Sequence, residues 1–276
     1  MSCVTGNGDG DNILSILSMA SGAYRSRHYD KAAEYWLLAV DRYNSCEAMM
    51  CLAEYYEEVV GNAELVVKYL QMAVDQGDII AMYKLANYYD LKTHEVDLAI
   101  KYYTMAVDKG KDVPSMINLG NKYYQSKKDV NTATKYYQMA IDAGSIAAWS
   151  CMGTVCNSVS NTGKRDVDYV ISCYQRVINN KHMLGDDNSE AYSISLHNLG
   201  IIYQDNKDYN AAISYYMLAV NDNFEKSIPS VFSLLNLVTD KSTYVTQLVE
   251  LLQSNTCKVK SHLSTSLIAY INSMHH

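Results

Sequence analysis

The sequence predicts an all-α fold, a solenoid of antiparallel helix pairs stacked one on the next. Three observations predict it. A ten-residue phrase recurs as KYLQMAVDQG (68–77), KYYTMAVDKG (101–110) and KYYQMAIDAG (135–144). A small–aromatic–small triplet returns at a near-constant interval, and no segment sustains the two-residue alternation of strands. Catalytic machinery is assembled once from single residues, so near-verbatim repetition marks architecture.

The triplet defines the second helix of each repeat. Ala32/Trp36/Ala39, Ala99/Tyr103/Ala106, Ala133/Tyr137/Ala140 and Ala212/Tyr216/Ala219 have gaps of four and three, which keep all three residues on one helical stripe. Two alanines let another helix approach closely, and the aromatic between them fills the gap. Val66/Leu70/Ala73 and Val170/Tyr174/Val177 are weaker copies. The last small residues fall at 39, 73, 106, 140, 177 and 219, in steps of 34, 33, 34, 37 and 42.

The first helix has its own signature. Leu52-Ala53 precedes Tyr56, Leu85-Ala86 precedes Tyr89, Leu119-Gly120 precedes Tyr123, Met152-Gly153 precedes Cys156, and Leu199-Gly200 precedes Tyr203. Leu or Met and the Tyr or Cys lie four apart and share a face. Three residues before that Leu or Met stands Met49, Met82, Met116, Trp149 or Leu196.

Punctuation separates the helices. Gly77-Asp78 and Gly144-Ser145 each supply a left-handed residue followed by an N-cap. Pro114 follows Asp112, and Pro229 follows Ser227, each by two residues, which places both prolines in first turns where a missing N–H costs little. The chain then divides into a flexible leader (1–11), a repeat solenoid (12–257) and a C-terminal capping helix (258–276). The solenoid holds six recognisable pairs and a degenerate seventh at 228–255, as end repeats usually do. Repeat five carries extra residues at 157–166 and 179–189, which are candidate docking loops.

These residues carry a resemblance. Leu-Gly/Ala-x2-Tyr followed by Ala-x3-aromatic-x2-Ala resembles the tetratricopeptide repeat, and LGIIYQDNKDYNAAISYYMLA (199–219) matches it without insertion. AVDQGDIIAMYKLANYY (73–89) looks more like the Sel1-like branch, although that branch has a longer, Gly-containing loop between its two helices, which the sequence does not show. The resemblance covers about residues 13–255. It implies a right-handed superhelical solenoid of about six to seven repeats that binds other proteins as a scaffold or adaptor.

Composition narrows the function classes. Hydrophobic residues make up 49%, and no apolar run approaches the roughly 18 residues a membrane span needs. ILSILSMASGA (13–23) follows Asp9 and Asp11, where a signal peptide would carry positive charge, so it is read as a helix. With no export signal, a cytoplasmic location is expected. Seven cysteines (3, 46, 51, 151, 156, 173, 257) form no CxxC pair and are read as reduced thiols; Cys156, Cys173 and His182 make the best metal-like grouping, and a weak one. No cofactor or metal is expected. A net charge of −7 disfavours nucleic acid, so an RNA-binding helical repeat protein is the alternative reading rather than the leading one. No nucleophile elbow, phosphate loop or zincin motif is present, and GNGDGDN (6–12) lacks the distal glutamate of a calcium loop, so the chain is not read as an enzyme. The 25 tyrosines against two phenylalanines suit a thin layered fold in which hydroxyls stay wet.

In the packing of the family it resembles, the first helix exposes an inward stripe at two before, two after and five after the Leu or Met. That register selects Met50, Glu54 and Glu57; Tyr83, Asn87 and Asp90; Ile117, Asn121 and Tyr124; Ser150, Thr154 and Asn157; and His197, Ile201 and Gln204. Apolar anchors alternating with amides suit capture of a protein or peptide partner. Residues 1–67 hold ten acids against four bases, so Glu54, Glu57, Glu58 and Asp90 are expected to recruit a basic segment. A carboxylate clamp is disfavoured, because Asn87, Asn118, Asn121 and Asn198 have only Lys84 and Lys122 near them, each at a different register.

Overall fold

The computed structural model describes residues 10–158, 166–185, 190–238, 241–253 and 258–273, with side chains from residue 13 to residue 270 within these segments. Most of the leader, the bulk of the 157–166 loop, the end of the 179–189 loop, Cys3 and Cys257 lie outside the described residues. Fifteen α-helices and no strand occur among the described residues. They run in pairs, α1 (Gly10–Arg25) with α2 (Tyr29–Tyr43), α3 (Cys46–Tyr55) with α4 (Ala63–Asp75) and α5 (Ile79–Tyr88) with α6 (Val96–Gly110), and α7 (Val113–Gln125) and α8 (Val130–Asp142) follow in sequence. Then come α9 (Ala147–Ser158) with α10 (Val167–Asn179), and α11 (Glu190–Asp205) with α12 (Tyr209–Asn221). The degenerate end is α13 (Ile228–Leu234), α14 (Lys241–Gln253) and α15 (Lys260–Ser273). These helices gather into two compact units, 1–128 and 129–276.

The caps follow the sequence. Ser45, Asn62, Asp78 and Asp112 each accept a hydrogen bond from the backbone N–H three residues on, as do Asp129, Ser145, Asp166 and Asp208. Each such cap stabilises its helix by about 1 kcal/mol. Gly77 and Gly144 have φ of 83° and 91°, the left-handed geometry their position demands. Both prolines sit in first turns, but Ser227 is not a side-chain cap: its hydroxyl is used by His197 instead.

Repeats two and three differ from repeat six in one respect that shapes the molecule. From the Leu to the first triplet residue is 14 positions in repeats two and three (52 to 66, 85 to 99) and 13 in repeat six (199 to 212). The additional residue is taken up by a π-turn, Tyr56–Val60 after α3 and Tyr89–Thr93 after α5, ending in left-handed Gly61 and His94. In all three repeats the N–H of the next helix's N-cap returns to the carbonyl of the signature tyrosine. Asn62 and Glu95 span six residues to Tyr56 and Tyr89, whereas Asp208 spans five to Tyr203. In repeats two and three the connection is therefore one residue longer than in repeat six and forms a widened turn.

The core is built from the two signatures. Tyr103, Tyr137, Tyr174 and Tyr216 are all but wholly buried. A Cβ at Gly200 would lie 2.5 Å from Tyr216 Cε1, and one at Gly153 would lie 2.9 Å from Tyr174 Cε1, so these glycines admit the ring edges. The signature tyrosines stack on the residue preceding the triplet aromatic or its Leu70 counterpart: Tyr56 on Tyr69, Tyr89 on Tyr102 and Tyr203 on Tyr215, with centroids 5.5, 5.6 and 5.3 Å apart. Met49, Met82, Met116 and Leu196 are buried as their register predicts, while Trp149 is half-buried beneath the Arg176 guanidinium, 4.5 Å from its ring. In the C-terminal unit, α15 packs Leu263 and Tyr270 into a cluster with α12, α13 and α14.

Candidate functional site

In the N-terminal unit, α3, α5 and their π-turns enclose a cleft of about 260 Å³. Its apolar floor is Met50, Ala53, Val66, Leu70 and Tyr88, with Leu91 at the edge, and its polar wall is Glu54, Glu57, Glu58, Lys84, Asn87 and Lys92. Five residues selected from the sequence thus come together: Met50, Glu54, Glu57, Glu58 and Asn87. The π-turns supply Glu57, Glu58, Leu91 and Lys92, so the additional residue in each of these repeats builds the rim. Leu91 is 65% exposed, and Val59 and Val60 beside the rim are exposed too.

The charges are not the free acidic surface the sequence suggested. Lys84 pairs with Glu54, Lys92 Nζ lies 2.8 Å from Glu57, and Lys122 pairs with Asp90. Each pair joins one repeat to the next, and the Asp90 pair is mostly buried while the other two are partly open to water. The hydrogen bond to Glu57, with its charge, raises the pKa of Lys92. Glu58 has a neutral partner, the Tyr24 hydroxyl, which donates to Oε2 at 3.0 Å. Burial, then this hydrogen bond, pushes the Tyr24 pKa up to about 12, so the phenol keeps its proton. Lys84 and Lys122, which were weighed as clamp residues, are engaged here as ion-pair partners. Acid and base one repeat apart, 54 with 84 and 90 with 122, is the signal that finds them in the sequence.

Several residues of the expected stripe, Asn87 of the cleft wall among them, hydrogen-bond to the core. Asn87 Oδ1 accepts from Tyr103 Oη at 2.5 Å and from Asn118 Nδ2 at 3.4 Å. Thr154 Oγ1 receives Tyr174 Oη and Asn198 Nδ2, both at 3.3 Å, and Gln204 Oε1 accepts from Tyr216 Oη at 2.9 Å. The hydroxyls of Tyr103, Tyr174 and Tyr216 are thus satisfied by side chains of the first helices. Ser150 is buried against Ser195, with their hydroxyl oxygens 3.1 Å apart, and so does not face a groove. Tyr83 is half-buried with its ring 6.1 Å from Tyr103, Ile201 packs on the C-terminal core cluster, and Ile117, Asn121 and Tyr124 are half-buried on α7 outside the cleft lining.

His197 fills space between Tyr216 and Phe224, with its Nδ1 2.8 Å from Ser227 Oγ. Ser227 is wholly buried, so this His–Ser contact presents no nucleophile. Among the described residues no three His, Cys, Asp or Glu side chains converge as metal ligands would, and no helix is long and apolar enough to cross a membrane. A second, larger concavity of about 710 Å³ lies between α12 and α14, lined by Met217, Leu218 and Leu251 with Ser214, Asn221, Thr243, Tyr244, Gln247 and Glu250. The sequence reading missed it, because α14 lacks both repeat signatures.

No family model matches the sequence, and no curated protein matches it. Solved structures do match. A Sel1 repeat protein from Oxalobacter formigenes superposes with a TM-score of 0.65 at 17% identity, over 94% of this chain and 97% of that one. A protective antigen of uropathogenic Escherichia coli with an SLR fold gives 0.64 at 18% identity, over 94% of this chain and 53% of that one. A chain of the APC/C hetero-tetramer Cut9–Hcn1 gives 0.57 at 18% identity, over 91% and 48%. The chain spans about half the length of the last two. The all-α chain has the fold of the Sel1-like and tetratricopeptide-like helical repeat solenoids.

Proposed function

We propose that the chain is a non-enzymatic scaffold that binds a protein or peptide segment, and that the cleft between α3, α5 and their π-turns is where the segment docks. One observation carries this reading: an apolar floor ringed by exchangeable charges, with Leu91 left open to solvent at its edge. Exposed ion pairs contribute little to stability, so a partner's charges can replace them at small cost. The chemistry is that of an interface patch with an apolar centre and a polar rim. Similarity to a chain of an assembled hetero-tetramer supports an assembling role, and three carboxylates against two ammoniums disfavour a phosphate backbone as ligand.

A benzophenone side chain placed at position 91 tests the reading, with the same group at exposed position 183 as control. Photocrosslinking in cells is expected to capture a defined partner from position 91 alone. Glu54→Lys/Glu57→Lys and Met50→Asp variants are expected to lose it. Full capture by both variants would move the site away from this cleft.

A further inference from the structure

Three carboxylates and two ammoniums meet in the cleft: Glu54 pairs with Lys84, Glu57 pairs with Lys92, and Glu58, whose charge Lys92 also feels, accepts a hydrogen bond from the Tyr24 hydroxyl. One negative charge is therefore uncompensated. Glu58 Oε2 is held by a hydroxyl that stays neutral, which steadies the carboxylate without cancelling its charge. Glu57 stands next to it on the same π-turn, bound only to an exposed lysine.

We propose that the cleft selects a segment bearing one arginine beside one apolar side chain, the guanidinium bridging Glu57 and Glu58 while Lys92 keeps its place beside Glu57. This rests on the reading of the cleft as a protein-binding site, and it narrows the basic segment expected from composition to a single cation. A planar guanidinium presents several donors in a fixed fork and can serve two carboxylates together, whereas a lysine ammonium is a compact point charge. A second cation in the segment would face Lys84 and Lys92, so a polybasic run meets repulsion where a single charge meets complementarity. The apolar side chain lies over Met50, Leu70 and Leu91. A cleft of about 260 Å³ is smaller than the roughly 300–1,000 Å³ of sites that hold a whole small ligand. Its capacity suits side chains projecting from a chain.

Amide-resolved NMR titration of the full chain tests this with three probes: acetyl-Leu-Ala-Arg amide, acetyl-Leu-Ala-Lys amide and hexalysine. The arginine probe is expected to shift amides within 50–58 and 84–92 and to bind about three- to tenfold more tightly than the lysine probe, the advantage of a forked charge-assisted contact. Glu58→Gln, an exposed position whose change leaves the fold intact, is expected to erase that preference. Hexalysine is expected to bind no better than the lysine probe at physiological salt. Tighter binding of hexalysine, or an unchanged arginine preference in Glu58→Gln, overturns the single-cation inference while leaving the docking site in place. If no probe shifts these amides, the inference fails, and crosslinking from position 91 then decides separately whether the cleft docks a partner at all.

Discussion

Tyr103 donates its phenolic proton to Asn87 Oδ1 at 2.5 Å, and this bond makes a residue expected to face a ligand part of the protein's own core. The ring is fully buried, so no water stands ready to replace the amide. Removing one partner from a buried hydrogen bond costs about 1–3 kcal/mol, while the net worth of the intact bond is about 0.5–1.5 kcal/mol. Asn87→Leu is expected to destabilise the chain by the larger amount and Tyr103→Phe by the smaller, with less than additive loss in the double variant. Urea unfolding measures all three. A neutral Asn87→Leu would return that residue to the ligand-facing stripe.

Gly200 and Gly22 should respond oppositely to alanine. Both lie within helices, where alanine is favoured by about 1 kcal/mol. At Gly22 a Cβ meets nothing within 4 Å, but at Gly200 it would sit 2.5 Å from a ring that is 1% exposed. Overpacking of this kind costs about 1–3 kcal/mol. Gly22→Ala is expected to raise the unfolding midpoint and Gly200→Ala to lower it. Equal gains would show that the Tyr216 ring has room to move.

What the sequence revealed and what it hid have a common physical cause. Helix pairing was legible because Ala-x3-Tyr-x2-Ala and Leu-Gly/Ala are packing instructions read locally, one turn at a time. Four of the cleft residues, Met50, Glu54, Glu57 and Asn87, followed from the same periodicity, and Glu58 from the clustering of acids. Lys84 and Lys92 did not, because an ion pair between successive repeats joins residues 30 and 35 positions apart and depends on how two helices stack. The π-turns were hidden for a related reason. One additional residue between Tyr56 and Asn62 can be a loop or a widened turn, and only hydrogen bonding to the Tyr56 carbonyl decides between them.

Four thiols, Cys173 buried and Cys51, Cys151 and Cys156 half-buried, give a chemical check on the packing. Burial pushes Cys51, Cys151 and Cys173 up to about 11 and raises Cys156 as well. A thiol with a pKa near 11 is deprotonated to well under about one part in a thousand at neutral pH, and the thiolate is the reactive form. At least four of the seven cysteines are therefore expected to react slowly with a chromogenic disulfide in the native state and rapidly in denaturant. Fast release of all seven equivalents from native protein would contradict the packing of α3, α9 and α10.

His197 makes the C-terminal unit acid-sensitive in a direction that can be worked out. Burial first, and the positive charge of Lys226 second, lower its pKa below the ordinary 6.5. The unfolded chain therefore takes up this proton at a higher pH than the native one does. Stability from this group is complete above about 6.5, falls as pH drops below that value, and stops falling once the native imidazole is itself protonated. The imidazole lies between Tyr216 and Phe224 with Ser227 at 2.8 Å, so its protonation places a charge in a half-buried site. His197→Gln keeps a polar group that can reach Ser227 and removes the titration. Thermal unfolding at pH 7.5 and pH 5 is expected to show a larger loss in the wild type than in His197→Gln. Lys226→Gln should reduce the loss partway, since removing the neighbouring charge lets the native pKa rise toward the unfolded one. An identical loss in wild type and His197→Gln would show that another group carries the acid sensitivity.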